Sequence, residues 1–165
     1  MEKWYSHFSG DPTQESPYEF DQLHGVLKTY HGTNGKLHEE KPYHYGKLHG
    51  VYKEYNERGV LLKEIPYDNG KRHGVTKHYD SSGDLIYEAH IEYGKIHGDE
   101  KKYYPNGKVR SLTSYQHAVP QGTGKTFFED GSVQTETPYE GGKIHGIVKE
   151  YYRNGNILSE DSYTN

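Results

Sequence analysis

Residues Val119 to Thr126, Val-Pro-Gln-Gly-Thr-Gly-Lys-Thr, end like a phosphate-binding loop. Such a loop needs Gly-x4-Gly-Lys-Ser/Thr, so that backbone N–H groups cradle the phosphates and the lysine reaches their outer oxygens. The first glycine would fall at position 119, which is Val. A β-hairpin pattern follows, so no helix N-terminus is available to receive phosphate, and nucleotide binding is not expected. The 12 histidines raise metal binding next. Five of them, His24, His49, His73, His97 and His145, each precede a glycine in a fixed register. On successive hairpins equivalent positions stand ~10 Å apart, whereas all ligands of one zinc ion lie about 2 Å from it. The column therefore cannot form one site, and its expected role is packing or hydrogen bonding at a turn. Spacing alone does not place His38, His44 and His117 relative to one another. No serine sits in a nucleophile-elbow context. The absence of Cys removes disulfides and thiolate metal sites. The expectation is a chain that is not an enzyme and carries no cofactor or metal.

The elements that hold these residues repeat. One glycine column runs Gly25, Gly50, Gly74, Gly98, Gly122, Gly146, and a second runs Gly35, Gly59, Gly83, Gly107, Gly131, Gly155. The period is 24 residues, with one extra residue between Gly25 and Gly35. Three residues after the first glycine comes Lys28, Lys53, Lys77, Lys101, Lys125 or Lys149. Five after it comes an aromatic residue: Tyr30, Tyr55, Tyr79, Tyr103, Phe127 or Tyr151. An aliphatic residue follows the second glycine by two, and Glu40, Glu64, Glu88, Glu136 and Glu160 follow it by five, with Leu112 as the exception. Eight after it stand Tyr43, Tyr67, Ile91, Tyr115, Tyr139 and Tyr163. Repeats of this length are single supersecondary units.

Each unit reads as two strands. Val51, Lys53 and Tyr55 alternate and so share a face. Asn34-Gly35, Asn106-Gly107 and Asn154-Gly155 are hairpin signals. Pro42, Pro66 and Pro138 precede the second Tyr column and predict incomplete pairing or a bulge there. Glycine interrupts every stretch too often for a helical period. The fold class expected is all-β, an elongated antiparallel meander of tandem hairpins about 55–60 Å long from strand spacing. Residues 1–17 are expected to cap the array, and residues 18–165 to form a single domain of about six repeats. The two Tyr columns are expected to interleave on one face as an aromatic ladder, with Lys and Glu pairing across strands.

Composition bounds the function classes. Mean hydropathy is -1.14 and only 30% of residues are apolar, too few for a thick core. The 18 Tyr and 20 Gly nevertheless argue for order, since Tyr can build a thin, half-wet layer. The net charge of -4 comes from interspersed signs, which excludes an electrostatic case for nucleic acid and argues against a membrane surface. Met1 to Phe20 has no apolar signal-peptide segment, so the expected compartment is the cytoplasm.

The unit Tyr-x-x-Gly-Lys-x-His-Gly, seen at Tyr67 to Gly74 and Tyr139 to Gly146, resembles the MORN-repeat variant, and chains of this unit resemble the bacterial YwqK-like antitoxins. The resemblance covers roughly Tyr18 to Tyr163. It implies a hairpin-repeat scaffold and an immunity protein that binds and neutralises a cognate toxin by occlusion. The alternative is a structural scaffold for protein or membrane association. Self-association through exposed edge strands stays open. Two irregularities mark repeats four and five: Ala118-Val119-Pro120-Gln121-Gly122 replaces Gly-Lys-x-His-Gly, and Asp99 replaces an aliphatic residue. Specificity must come from residues that differ between repeats. The candidate partner-binding set is Tyr52, Glu54, His78, Glu100, Lys102, Val119, Gln121, Thr126 and Glu150.

Overall fold

A computed structural model describes residues 2–5 and 12–164, with side chains from residue 13 onward. Residues 1 and 6–11 of the expected cap therefore lie outside the described residues. Every regular element among the described residues is a β-strand. The chain divides into two compact units, residues 1–83 and 84–165.

Within the first unit the strand Glu2–Tyr5 pairs with Pro12–Ser16, which pairs with Gly25–Tyr30, the first strand of repeat one. Leu37–His44 follows, then Gly50–Tyr55, Leu61–Asp68 and Gly74–Tyr79, each antiparallel to the one before. The second unit runs the same way through Leu85–Glu92, Lys95–Tyr103, Val109–Gln116, Val119–Phe127, Val133–Glu140, Gly146–Tyr151 and Ile157–Tyr163. The fold is an all-β antiparallel meander of tandem hairpins.

The hairpin turn shows why the second glycine recurs. In repeat two Gly59 N–H donates to the Asn56 carbonyl at 2.8 Å, and Asn56 N–H to the Val60 carbonyl at 2.9 Å. The glycine takes φ +88°, a left-handed conformation that side chains resist. A tight turn closed by such a glycine inserts one extra residue, and the register accordingly shifts between Glu54 and Tyr55. Successive turns also tie to one another: Asn34 Nδ2 donates to the Glu57 carbonyl at 2.8 Å, and Asn106 Nδ2 to the Glu129 carbonyl at 3.1 Å.

The first glycine has a different reason. At Gly50, φ is +111° and a Cβ would sit 3.2 Å from Pro42. Proline has no N–H to give the next strand. Forward pairing from Leu61–Asp68 accordingly stops at Glu64↔Lys77 and resumes at Tyr67↔Arg72, while the Pro66 carbonyl accepts from His73 N–H at 3.0 Å. The expected incomplete pairing at proline is thus present. Where His90 and Ser114 replace proline, the following strands run unbroken over Lys95–Tyr103 and Val119–Phe127.

The columns also reach further back than the sequence pattern alone indicates. Glu15 lies opposite Lys28, as Glu40 lies opposite Lys53. The Pro17 carbonyl accepts from His24 N–H at 3.1 Å, as Pro42 does from His49 at 2.9 Å. Pro12–Ser16 is therefore built as the second strand of a further half-repeat. The signal was Glu15-x-Pro17-Tyr18, which matches Glu40-x-Pro42-Tyr43.

Candidate partner-binding face

The two sides of the hairpins are chemically different. One carries Lys, the first aromatic column and Glu. Lys53 lies opposite Glu64 in register, and the pairs Lys28–Glu40, Lys101–Glu88, Lys125–Glu136 and Lys149–Glu160 close to between 2.8 and 3.8 Å. The aromatic hydroxyls serve the same carboxylates: Tyr55 donates to Glu40 at 3.0 Å, Tyr79 to Glu64 and Tyr151 to Glu136, both at 2.9 Å. Burial and the Glu40 contact push the Tyr55 hydroxyl up to about 12, and burial with Glu88 does the same for Tyr103. Each donor stands 15 residues after its acceptor. Leu112 lacks the carboxylate, and 15 residues later Phe127 lacks the hydroxyl. Removing both partners together leaves no orphaned polar group. The paired Lys, Glu and Tyr of this ladder face thus hold the strands to one another.

The second Tyr column is not on that face, which corrects the single-ladder expectation. Gly50 faces Tyr67, Tyr52 faces Ile65 and Glu54 faces Lys63, so Tyr67 shares a side with Tyr52 and Ile65. Tyr115 likewise donates to Glu100 at 3.3 Å, on the opposite parity from Lys101. The buried residues collect on this packed face: Ile65 is 5% exposed, Thr76 4% and Ala89 0%. The thin core is aliphatic at its centre and flanked by half-buried Tyr.

In the first unit Tyr52 and Glu54 belong to a five-membered polar cluster. The Tyr52 hydroxyl lies 2.8 Å from Glu39 and 3.0 Å from Glu54, while Lys41 reaches Glu39 at 2.7 Å and Lys63 reaches Glu54 at 2.8 Å. Burial and the two carboxylates push the Tyr52 hydroxyl far up. Burial alone would raise both carboxylates, but the lysines and the Tyr52 hydroxyl outweigh it and hold Glu39 and Glu54 below their ordinary value. The cluster edges a shallow hollow of about 260 Å³ floored by Ile65 and Tyr67. His78 lies opposite Lys63 in register; burial and then Lys63 lower its pKa.

In the second unit the structure brings three of the candidates together. Glu100, Lys102 and Thr126 line one hollow of about 480 Å³ with Tyr104 and Tyr115. Thr126 and Thr135 hydroxyls meet at 2.7 Å on the same side. Glu150 lies at a separate hollow of about 360 Å³, beside Thr135, Tyr152 and Leu158. Val119 and Gln121 fall on the Lys125 parity, that of the ladder face, and Val119 packs over the next turn, where a Cβ on Gly142 would come within 2.9 Å of it. The segment resembling a phosphate loop is one extended strand, with Lys125 Nζ on Glu136 at 2.8 Å.

The His column pairs with acids at the return turns: His24–Glu19 at 3.5 Å, His49–Asp68 at 3.3 Å and His145–Glu140 at 3.4 Å. His97 meets Glu92 at 3.5 Å and also His117, ring nitrogen to ring nitrogen, at 3.2 Å. The turn tips present further residues that sequence reading passed over. Phe20 is 82% exposed and Tyr93 64% exposed, both at positive φ. An aromatic residue held in that region is strained, which is uncommon without a reason. The signal was an aromatic residue where repeat two has Asn69 before the turn glycine.

Five segments, residues 48–69, 72–92, 96–117, 120–140 and 144–165, match the MORN repeat variant family. The first hairpin, Gly25 to His44, has the same register but lies outside the matched segments. No curated protein matches the chain. Among solved structures, a crystal structure of TarM is 14% identical, covering 53% of this chain and 17% of that one, with a TM-score of 0.38. A mutant TarM from S. aureus, in complex with fondaparinux, alpha-GlcNAc-glycerol and UDP, is 13% identical over 58% of this chain and 19% of that one, with a TM-score of 0.40. The chain thus spans under a fifth of the length of either structure.

Proposed function

The chain belongs to the MORN repeat variant family, and from that premise we propose that it is an immunity protein of the YwqK-like kind, binding a protein toxin through its packed face and neutralising it by occlusion. The observation that carries the reading is the division of labour between faces. On the ladder face the repeated charges satisfy one another, as in Lys125–Glu136–Tyr151. On the packed face the residues that change from repeat to repeat, such as Glu100, Lys102 and Thr126, edge open hollows with tyrosine walls. Tyrosine beside charged and hydroxyl groups is the chemistry of protein-interface hot spots. A stable interface needs about 800 Å² per partner, so the toxin would span several hairpins. Inhibition is stoichiometric, because the action is coverage rather than chemistry.

The test is protection. A toxin encoded beside this gene is expressed with and without the chain, and growth is followed as the ratio of the two proteins is varied. Protection should saturate near one to one and be lost on Lys102→Glu with an unchanged melt. Protection at strongly substoichiometric protein would sink occlusion. The family also supports a second reading, a scaffold for protein or membrane association. Sedimentation with anionic vesicles, or concentration-dependent self-association in the absence of any toxin effect, would favour it.

A further inference from the structure

We propose that Glu92, His97 and His117, at the return-turn edge of the second unit, form a binding site for one divalent transition-metal ion, with zinc the best match to the donors. One ligand atom from each of these residues lies within 4.8 Å of the others. His97 Nδ1 is 3.2 Å from His117 Nδ1 and 3.5 Å from Glu92 Oε2. Four ligands held tetrahedrally at zinc bond lengths of 2.0–2.1 Å stand about 3.3 Å apart. Both measured edges fall close to that figure. Two imidazoles and one carboxylate leave a fourth position for water, the arrangement of an open zinc site.

Hydrogen bonding alone accounts for the cluster less well. A neutral imidazole has one N–H and one lone pair, on different nitrogens. The single Nδ1 of His97 faces a carboxylate, which only accepts, and a second ring nitrogen. If it carries the proton, that proton can point well at only one of them. A cation at the centre takes a lone pair from all three.

The other repeats supply the control. His24, His49 and His145 each have a carboxylate within 3.5 Å, so the His–acid pair by itself is ordinary in this fold. What repeat four adds is His117. The corresponding position holds Tyr45 beside His24, at 4.6 Å between rings, and Asn69 in the next repeat. His117 sits at φ +50° and is followed by Ala118 at +69°, two non-glycine residues in the left-handed region where the turns at Tyr45, Asn69 and Tyr93 place a glycine second. The turn holds because Ala118 N–H donates to the Ile96 carbonyl at 2.7 Å, which seats it beside His97. The argument that excludes a site built from the His column does not touch this set, because His117 is outside the column.

The experiment uses the full chain, stripped with chelator, dialysed and titrated with zinc chloride by calorimetry. One site per chain is expected, and Co²⁺ should give the visible absorption of a tetrahedral N/O site. His117→Asn is the decisive variant. Asn69 already occupies the same turn position at φ +48°, so the fold should persist while the imidazole is lost. Affinity should fall by more than about tenfold, since even outer-shell changes cost 10–100-fold. His145→Ala, at a two-residue pair, should leave it unchanged. Unchanged binding in His117→Asn would overturn the site and leave the 3.2 Å contact as a hydrogen bond. Equal losses in both variants would assign the ions to scattered surface histidines, and no saturable binding in the wild type would end the proposal outright.

Discussion

Within each unit the two faces of the hairpins use the same residue, tyrosine, for opposite purposes. On the ladder face Tyr55, Tyr79 and Tyr151 direct their hydroxyls at a carboxylate one strand back, and each carboxylate also meets lysine. On the packed face Tyr67 walls a hollow beside buried Ile65, and Tyr115 walls a hollow lined with charged and hydroxyl side chains. The ladder is redundant: it repeats, so one rung can be lost as a pair at Leu112 and Phe127. The packed face is not redundant, because its few buried side chains supply nearly all of the aliphatic core. Removing surface from a thin core is costly, whereas half-exposed ion pairs are worth ~0–1 kcal/mol each.

That contrast should be largest in urea melts. Ile65→Ala, at 5% exposure, should cost about 2–4 kcal/mol, the range for large-to-small core changes. Val51→Ala on the ladder side, at 44% exposure, should cost under about 0.5 kcal/mol, as surface changes do. Equal losses would mean that the packed face is not the core. Next in size is a gain. Thr76 is 4% exposed and its Oγ1 has no hydrogen-bond partner among the described residues. Thr76→Val keeps the shape and removes a buried hydroxyl, which should add about 1 kcal/mol. A loss there would show that the hydroxyl has a partner.

The missing rung offers a sharper test. Leu112→Glu with Phe127→Tyr rebuilds the pair seen at Glu64 and Tyr79. A double-mutant cycle should return a favourable coupling of about 0.5–1.5 kcal/mol. Zero coupling would make the paired loss a coincidence. The smallest effect is on pH dependence. Burial and Glu40 hold the Tyr55 hydroxyl up to about 12 from its ordinary 10.0. Between those values the native state keeps a proton that the unfolded chain has released, so stability falls as pH rises through the window. The decline should be shallower in Tyr55→Phe, and an identical slope would remove Tyr55 from the linkage.

Much of the candidate site was legible because it is a difference between repeats. Counting from Gly98 and Gly122 puts Glu100, Lys102 and Thr126 on one parity, and the structure places all three around one hollow. The same counting did not group Val119 and Gln121 with them, and the register assigns both to the other parity. The exposed Phe20 and Tyr93 were passed over because they fall between columns. His117 was named but could not be placed, since its neighbours His97 and Glu92 are brought to it by strand pairing rather than by spacing.

The sequence by itself determined the period, the turns and the pairing of Lys with Glu. All three depend on contacts inside one or two repeats, where glycine conformation and strand alternation leave little choice. Only the tertiary structure decided which face each Tyr column joins. The hairpin turns insert a residue in the second strand, as at Leu62 opposite the step from Glu54 to Tyr55, and one inserted residue reverses the face of everything beyond it. A parity counted from Lys53 to Tyr55 is secure, but carried across the turn to Tyr67 it depends on the bulge, whose place is set by the register between strands.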